Sequence, residues 1–299
     1  MKKVSHIIFA LFLLMSLFLS TALAEETEKQ DVISERLERD HYYQNATMSP
    51  FTIIGRKILE ENKPLRVTLP GDTLLMGYPG ADVGIPTLEF IWKKNSSVVY
   101  VRSPLGGKFY KDRQKIGPIP VSLVSGDTVV AERFRLRLYD GSLGKSIMAY
   151  DPDLSKNVKL RDYPVNSNYV VEATLTRHGV LDTLVMATST GKTRSYLRFA
   201  KLNFTLNGLP SSLTLFVPAS KPDAYGFIPF TDATSGVETY GAGRYLDVEL
   251  PSFDAETIIL DFNRAYNPYC AYTTYFDCPI PPLENHIEVK IEAGEKNYH

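Results

Sequence analysis

Residues 133–139 read RFRLRLY, and this stretch decides the fold class. Phe134, Leu136 and Leu138 alternate with Arg133, Arg135 and Arg137, the period of two that a strand uses and a helix does not. The alternation predicts a strand with its apolar face in a core and its basic face in solvent. Upstream, short β-branched runs punctuated by Gly and Pro predict strands over 65–69, 73–76, 88–92, 98–101 and 120–123. Downstream, similar runs fall at 169–176, 180–187, 195–205, 212–217, 228–230, 245–250, 257–262 and 287–291. With no helical pattern between them, these runs predict an antiparallel barrel or sandwich.

The pattern weakens over 142–165, where DPDLSKNVKLRD (151–162) reads as a solvated boundary. The segment partly matches a calcium-binding loop, with Asp151, Asp153, Ser155, Asn157 and Asp162 at ligand positions. However, Lys156 stands where the loop needs glycine, and Asp162 replaces its bidentate Glu. Before the first strands, Val32, Ile33 and Leu37 share one helical face, and Glu35 is spaced to pair with Arg39. The expected class is therefore mainly β. Its parts are a leader (1–24), a short charged amphipathic helix (25–48), an N-terminal β-sandwich-like module (49–145), a linker (146–165) and a C-terminal antiparallel β-barrel or sandwich (166–299).

Lys2 and Lys3 precede an apolar run from Ile7 to Leu19, closed by Ala22-Leu23-Ala24. This is the layout of a cleavable secretory signal peptide, and the run is shorter than the ~20 apolar residues of a spanning helix. Export to the periplasm or the extracellular space is expected, with no membrane span after cleavage. The chain has 299 residues, 44% hydrophobic and 22% charged, with a formal net charge of -1. It has material for a sizeable core and no global field to attract nucleic acid. Cys270 and Cys278 lie in a loop rich in Tyr and Pro, and in an exported chain a disulfide is the leading assignment. A zinc pair is the weaker alternative, because zinc needs four ligands and His6, His41, His178, His286 and His299 are scattered. No metal or cofactor is expected.

No HExxH helix, GxSxG elbow or glycine-rich dinucleotide loop occurs, and Gly191-Lys192-Thr193 reads as a hairpin turn. Polar, aromatic and turn residues instead concentrate in FIPFTDATSGVETYGAGRYLDVELP (227–251) and in 259–296. Two readings stand. In one, Arg244, Asp261 and Arg264 form a charge network and Asn263 and Asn267 satisfy loop backbone. In the other, Glu238, Tyr240, Arg244, Asp261, Asn263, Arg264 and Asn267 converge on a pocket for an anionic or sugar-like ligand.

DATSGVETYGAGRY (232–245), LDFNRAYNPYCAY (260–272), CPIPPLEN (278–285) and IEAGEK (291–296) resemble the signature of a mainly bacterial family, domain-of-unknown-function family number 1684. The resemblance runs from about Gly208 to Lys296. It continues more weakly through SPFTIIGRKIL, GYPGADVGIP and FRLRLYD. It implies a recurring domain without an established reaction. It also implies that cytosolic relatives carry the cysteine pair, so oxidation is not the only account of Cys270 and Cys278. The upstream half is similar to a forkhead-associated sandwich around GYPGADVGIP and GDTVVAERFRLRLY. That family's phosphothreonine-reading residues do not carry over, because Tyr78 stands in the arginine position and Thr87, Leu88 and Glu89 do not supply its Ser and His.

The leading functional expectation is noncatalytic binding of a small or extracellular ligand. The alternatives are an envelope hydrolase using Glu238, Asp232 or Asp261 as acid and base around Arg244, and a structural or assembly module. An aromatic-lined cleft points to the first, a cleft with buried reactive carboxylates to the second, and no cleft to the third.

Overall fold

The computed structural model describes residues 26–78, 87–141, 143–154, 158–177, 182–252 and 254–299. The expected leader, His178, Ser155, Asn157 and most of GYPGADVGIP lie outside the described residues. The first module contains β1 (Ile53–Ile58), β2 (Leu65–Thr68), β3 (Leu75–Gly77), β4 (Thr87–Trp92), β5 (Val99–Arg102), β6 (Phe109–Lys111), β7 (Gln114–Lys115), β8 (Val121–Leu123), β9 (Thr128–Ala131), β10 (Phe134–Gly141) and β11 (Gly144–Tyr150). They form a six-stranded sheet, β1-β11-β10-β9-β6-β7, and a five-stranded sheet, β3-β2-β4-β5-β8. Val67, Phe90 and Val101 from one sheet meet Val129, Leu136, Leu138 and Ile147 from the other in a shared core. Each such side chain withdrawn from water contributes about 1.5–3 kcal/mol.

The second module contains β12 (Val170–Arg177), β13 (Thr183–Ala187), β14 (Thr193–Leu206), β15 (Leu209–Pro218), β16 (Gly226–Asp232), β17 (Arg244–Val248), β18 (Thr257–Asp261) and β19 (His286–Ile287). Its main path is β17-β16-β15-β14-β12-β18, with β13 added to β14 and β19 parallel to β16. Asn207 and Gly208, both at positive φ, close the β14–β15 hairpin between Leu206 and Leu209. Asn-Gly is the pair that such a two-residue turn favours. Leu202, Leu215, Ile228, Phe230, Leu260 and Phe262 lie in the core of this module.

Four expectations are corrected. First, Gly144–Tyr150 forms β11, so the first five residues of the expected linker belong to the sandwich. Its run of buried residues has no period of two because both faces are covered. Second, of the expected strand 287–291 only Ile287 joins a ladder, as the second residue of the short β19 (His286–Ile287). Ile291 packs into the core while its carbonyl accepts from Arg244. Third, the helix (26–45) buries Val32 and Tyr43 but leaves Leu37 65% exposed. Its inward stripe is Val32, Arg36, Arg39 and Tyr43. The arginines bury their stems and carry their heads to fixed acceptors: Arg36 donates to the Tyr163 and Asn263 carbonyls, and Arg39 pairs with Asp162 at 2.7 Å. Glu35 pairs with Arg264 rather than Arg39.

Fourth, the basic face of RFRLRLY does not point into open solvent. Arg133, Arg135 and Arg137 are half-buried. On the outer face of this sheet, Met148 and Tyr150 pack with Tyr139, Tyr275 and Phe276, the last two from the cysteine loop. The Tyr275 hydroxyl donates to the Ile54 carbonyl at 3.2 Å, and Arg56 donates to the Tyr275 carbonyl at 3.1 Å. The cysteine loop therefore fastens one module to the other.

Candidate functional site

The structure distributes the seven expected ligand-binding residues over separate tasks. Arg244 opens β17, fully buried, and donates to Asp232 at 3.2 Å and to the Ile291 carbonyl at 2.9 Å. It also donates to the carbonyls of Ala293 and Glu295. Asp232 accepts further bonds from Ser235, from the Thr234 hydroxyl and from the Thr234 and Ile291 amides. Burial lowers the Arg244 pKa, and the Asp232 charge acts in the opposite direction. This is a sealed joint between β16, β17 and residues 291–295.

Glu238 accepts from the Tyr163 hydroxyl at 3.0 Å and meets Lys296 at 3.4 Å, and these contacts hold it below its ordinary value. The Tyr240 hydroxyl donates to the Cys270 carbonyl. Asp261 accepts from Arg264 and from Asn263, and it caps the short turn Phe262–Arg264. Asn263 is exchanged with the Asn166 backbone. Asn267 donates to Glu295 and Lys296, and Glu295 also accepts from Tyr272. Asp261 and Asn263 line a groove of about 700 Å³ where the helix crosses 163–170, but both side chains are engaged in these bonds. Asp232, Glu238 and Asp261 each serve a different local contact, so the acid and base pair expected around Arg244 is not assembled.

The aromatic cleft lies elsewhere, at the joint between the modules. It encloses about 570 Å³. Arg56 on β1, Tyr139 on β10 and Met148 on β11 form one wall, and Arg194 on β14, Tyr245 on β17, Tyr266, Tyr269 and residues 276–279 form the other. Tyr269 is 41% exposed, and its ring packs on Phe276 with centroids 4.9 Å apart. Burial raises the Tyr269 phenol above its ordinary value, so it remains a neutral, amphipathic surface at physiological pH. Asp277 is the carboxylate of the lining. It accepts from the Thr190 hydroxyl at 2.5 Å and lies 3.6 Å from Arg194.

Cys270 and Cys278 are joined in a disulfide with Cα atoms 6.2 Å apart. The bond closes the loop that carries Tyr275, Phe276 and Asp277 into the joint. Ser189 pins it from β13's far turn, its hydroxyl accepting from the Cys278 amide at 3.1 Å. Among the described residues no group of three or more His, Cys, Asp or Glu is arranged to hold a metal.

Residues 157–296 match the family model described as Protein of unknown function (DUF1684). A solution NMR structure of an uncharacterized protein of Haloarcula marismortui is 36% identical, and the match covers 48% of this chain and 80% of that one, with a TM-score of 0.42. The chain belongs to the DUF1684 family. No curated protein matches it.

Two of the motif stretches within the matched span, 232–245 and 291–296, meet in the sealed joint, while 260–272 and 278–285 contribute to the cleft. Gly243, at φ +93°, would place a Cβ 2.5 Å from the Phe230 carbonyl, and Gly294, at φ +73°, would place one 2.5 Å from the Ala265 carbonyl. The sequence reading missed Arg56, Tyr139, Met148, Arg194, Phe276 and Asp277. Its available signal was the unusually basic outer face of RFRLRLY, next to which these residues gather.

Proposed function

We propose that the chain is an exported, noncatalytic binding module whose small extracellular ligand occupies the cleft between the two modules. The observation that carries this reading is the aromatic lining of that cleft, with convergent arginines and a carboxylate already engaged by Thr190 and Arg194. Ligand pockets commonly lie at such domain junctions. The leader-like pattern of residues 1–24 and the disulfide support an oxidising compartment. Amino-terminal sequencing of the secreted product should start at Glu25.

A thermal-shift screen of a metabolite library on oxidised residues 25–299 tests the binding reading. A ligand that binds only the folded state raises its melting temperature. The expected result is a stabilising compound whose effect disappears in a folded Tyr269→Ala variant. A shift that persists in Tyr269→Ala, or no shift across the library, would refute this site.

A further inference from the structure

The charges and rings of the cleft together select a ligand class, and the inference rests on the binding reading above. Among the described residues that line it, Arg56, Arg194 and Asp277 carry formal charge, and they form one cluster. The Asp277 side chain, 2% exposed, lies 3.6 Å from the Arg194 guanidinium, and the Asp277 carbonyl accepts from Arg194 at 2.6 Å. Burial lowers the Arg56 pKa, and the same carboxylate is the largest influence opposing it. Burial raises the phenols of Tyr43, Tyr245, Tyr266 and Tyr269, so these stay neutral at physiological pH.

A ligand ion of either sign therefore meets a like charge. An anion faces the Asp277 carboxylate behind the guanidinia, and a cation faces two guanidinia. A hydroxyl meets no such conflict, because it accepts from a guanidinium and donates to a phenol oxygen. The arginines have donors to spare. A guanidinium carries five N–H groups, whereas Arg56 gives one each to the Ser146 hydroxyl and the Tyr275 carbonyl, and Arg194 is 40% exposed at its side chain.

The rings are set for a puckered partner rather than a flat one. Tyr269 and Phe276 meet at 59°, Tyr43 and Tyr269 at 75°, and Tyr245 and Tyr266 at 88°. None of these pairs forms the parallel slot into which a flat aromatic ring stacks on both faces. The hydroxyls of Tyr245 and Tyr266 are tied to the Pro279 carbonyl and to Asp247, which holds their rings as walls. Tyr139 and Phe276 are half-buried around Met148, and Tyr269 stands out between them and solvent. At about 570 Å³ the cleft is in the size class of small-molecule pockets.

We propose that the cleft binds a neutral saccharide, its C–H face against Tyr139, Tyr269 and Phe276 and its hydroxyls on Arg56 and Arg194. A pyranose presents both parts at once, a face of C–H bonds for tyrosine rings and a rim of groups that donate and accept. A flat apolar ring leaves the guanidinium N–H groups without acceptors, and a charged metabolite meets Asp277 or the arginines.

Saturation-transfer NMR on oxidised residues 25–299 reads such binding directly. The probes are D-glucose, D-galactose, N-acetyl-D-glucosamine, cellobiose, lactose and N,N′-diacetylchitobiose, with indole as the flat apolar control. At least one neutral sugar is expected to receive saturation, strongest at its ring C–H protons, and to bind about tenfold more tightly than its own uronate or amino-sugar counterpart. Raising NaCl from about 0.05 to about 0.5 M should change that affinity less than about twofold, since no ion pair forms. Tyr269→Ala should weaken the sugar about tenfold, whereas Tyr269→Phe, which keeps the ring, should change it less than about threefold. Arg194→Gln, which removes charged donors, should also weaken it about tenfold. Near-UV circular dichroism confirms the fold of each variant, and if Tyr269→Ala does not fold, Arg194→Gln carries the same test.

Tighter binding of the uronate or the amino sugar overturns the neutral class. Sugar binding that ignores both Tyr269→Ala and Arg194→Gln lies outside the cleft and overturns the inference. If no sugar binds while indole or another compound gives a Tyr269-dependent thermal shift, the saccharide inference falls and the binding reading survives. If neither the sugars nor any library compound binds, both fall together.

Discussion

Arg244 and Arg264 look equivalent in the sequence, and the structure predicts opposite outcomes for their removal. Arg244 and Asp232 are both fully buried and lie 3.2 Å apart. Arg244→Ala leaves the Asp232 carboxylate in the core without its counter-charge, although the Thr234, Ser235 and Ile291 donors remain. It also strands the carbonyls of Ile291, Ala293 and Glu295. Breaking one side of a buried ion pair costs about 3–5 kcal/mol, and buried carbonyls left without donors cost at least ~1 kcal/mol each. Because these terms overlap and Asp232 keeps other donors, a loss of about 4 kcal/mol is expected. Arg264 is 37% exposed and pairs with Glu35 and Asp261, so Arg264→Ala should cost less than ~1 kcal/mol. Urea unfolding of oxidised residues 25–299, followed by circular dichroism, reads both as midpoint shifts at constant slope. A loss below ~1 kcal/mol for Arg244→Ala, or equal losses for the two variants, would refute the sealed-joint account.

Gly243→Ala should destabilise by at least ~2 kcal/mol, since it combines a positive φ with contact to the Phe230 carbonyl. Gly208→Ala, at φ +78° with open space around it, should cost less, and thermal melts rank the two. Replacing Cys270 and Cys278 by Ser should lower stability by about 2.5 kcal/mol for this short loop. A variant as stable as the oxidised protein would show that the loop is held by its docking alone. Burial raises the Glu295 pKa against the pull of Tyr272 and Arg39, so the folded chain keeps this proton to higher pH than the unfolded chain. Its contribution is therefore full below about pH 4.3 and declines as pH rises toward the folded value. Stability of the wild type relative to Glu295→Gln should fall from about pH 4 to pH 7. A rise over that range would reverse the assignment.

The strands that could be read in advance were those with one wet face. In β10, Phe134, Leu136 and Leu138 enter a core while Arg135, Arg137 and Tyr139 between them are only partly buried, so a period of two survives. In β11, Ser146, Ile147, Met148 and Ala149 are all buried, because the cysteine loop covers the side that a lone sandwich would expose. That cover comes from residues more than a hundred positions away, and no local pattern announces it. The candidate site follows the same rule. Density of polar and glycine residues marked 232–245 and 291–296, but a dense motif can equally be a joint, and Arg244 with Gly243 and Gly294 proves to be one. The cleft is assembled from β1, β10, β11, β14 and β17, each contributing one or two residues that are ordinary by themselves, and from the 266–279 stretch.

The joint around Arg244 also sets the order of events in the life of the polypeptide. Its remaining acceptors are the carbonyls of Ile291, Ala293 and Glu295, so a nascent chain ending before those positions holds the Arg244–Asp232 pair without the carbonyls that complete it where its core should close. Strands β12 to β18 can pair early, yet their module gains its final cooperativity only when residues 291–295 arrive. A polypeptide that must cross a membrane unfolded, as the proposed export requires, would have the last step of its folding deferred until the whole signature has been translocated.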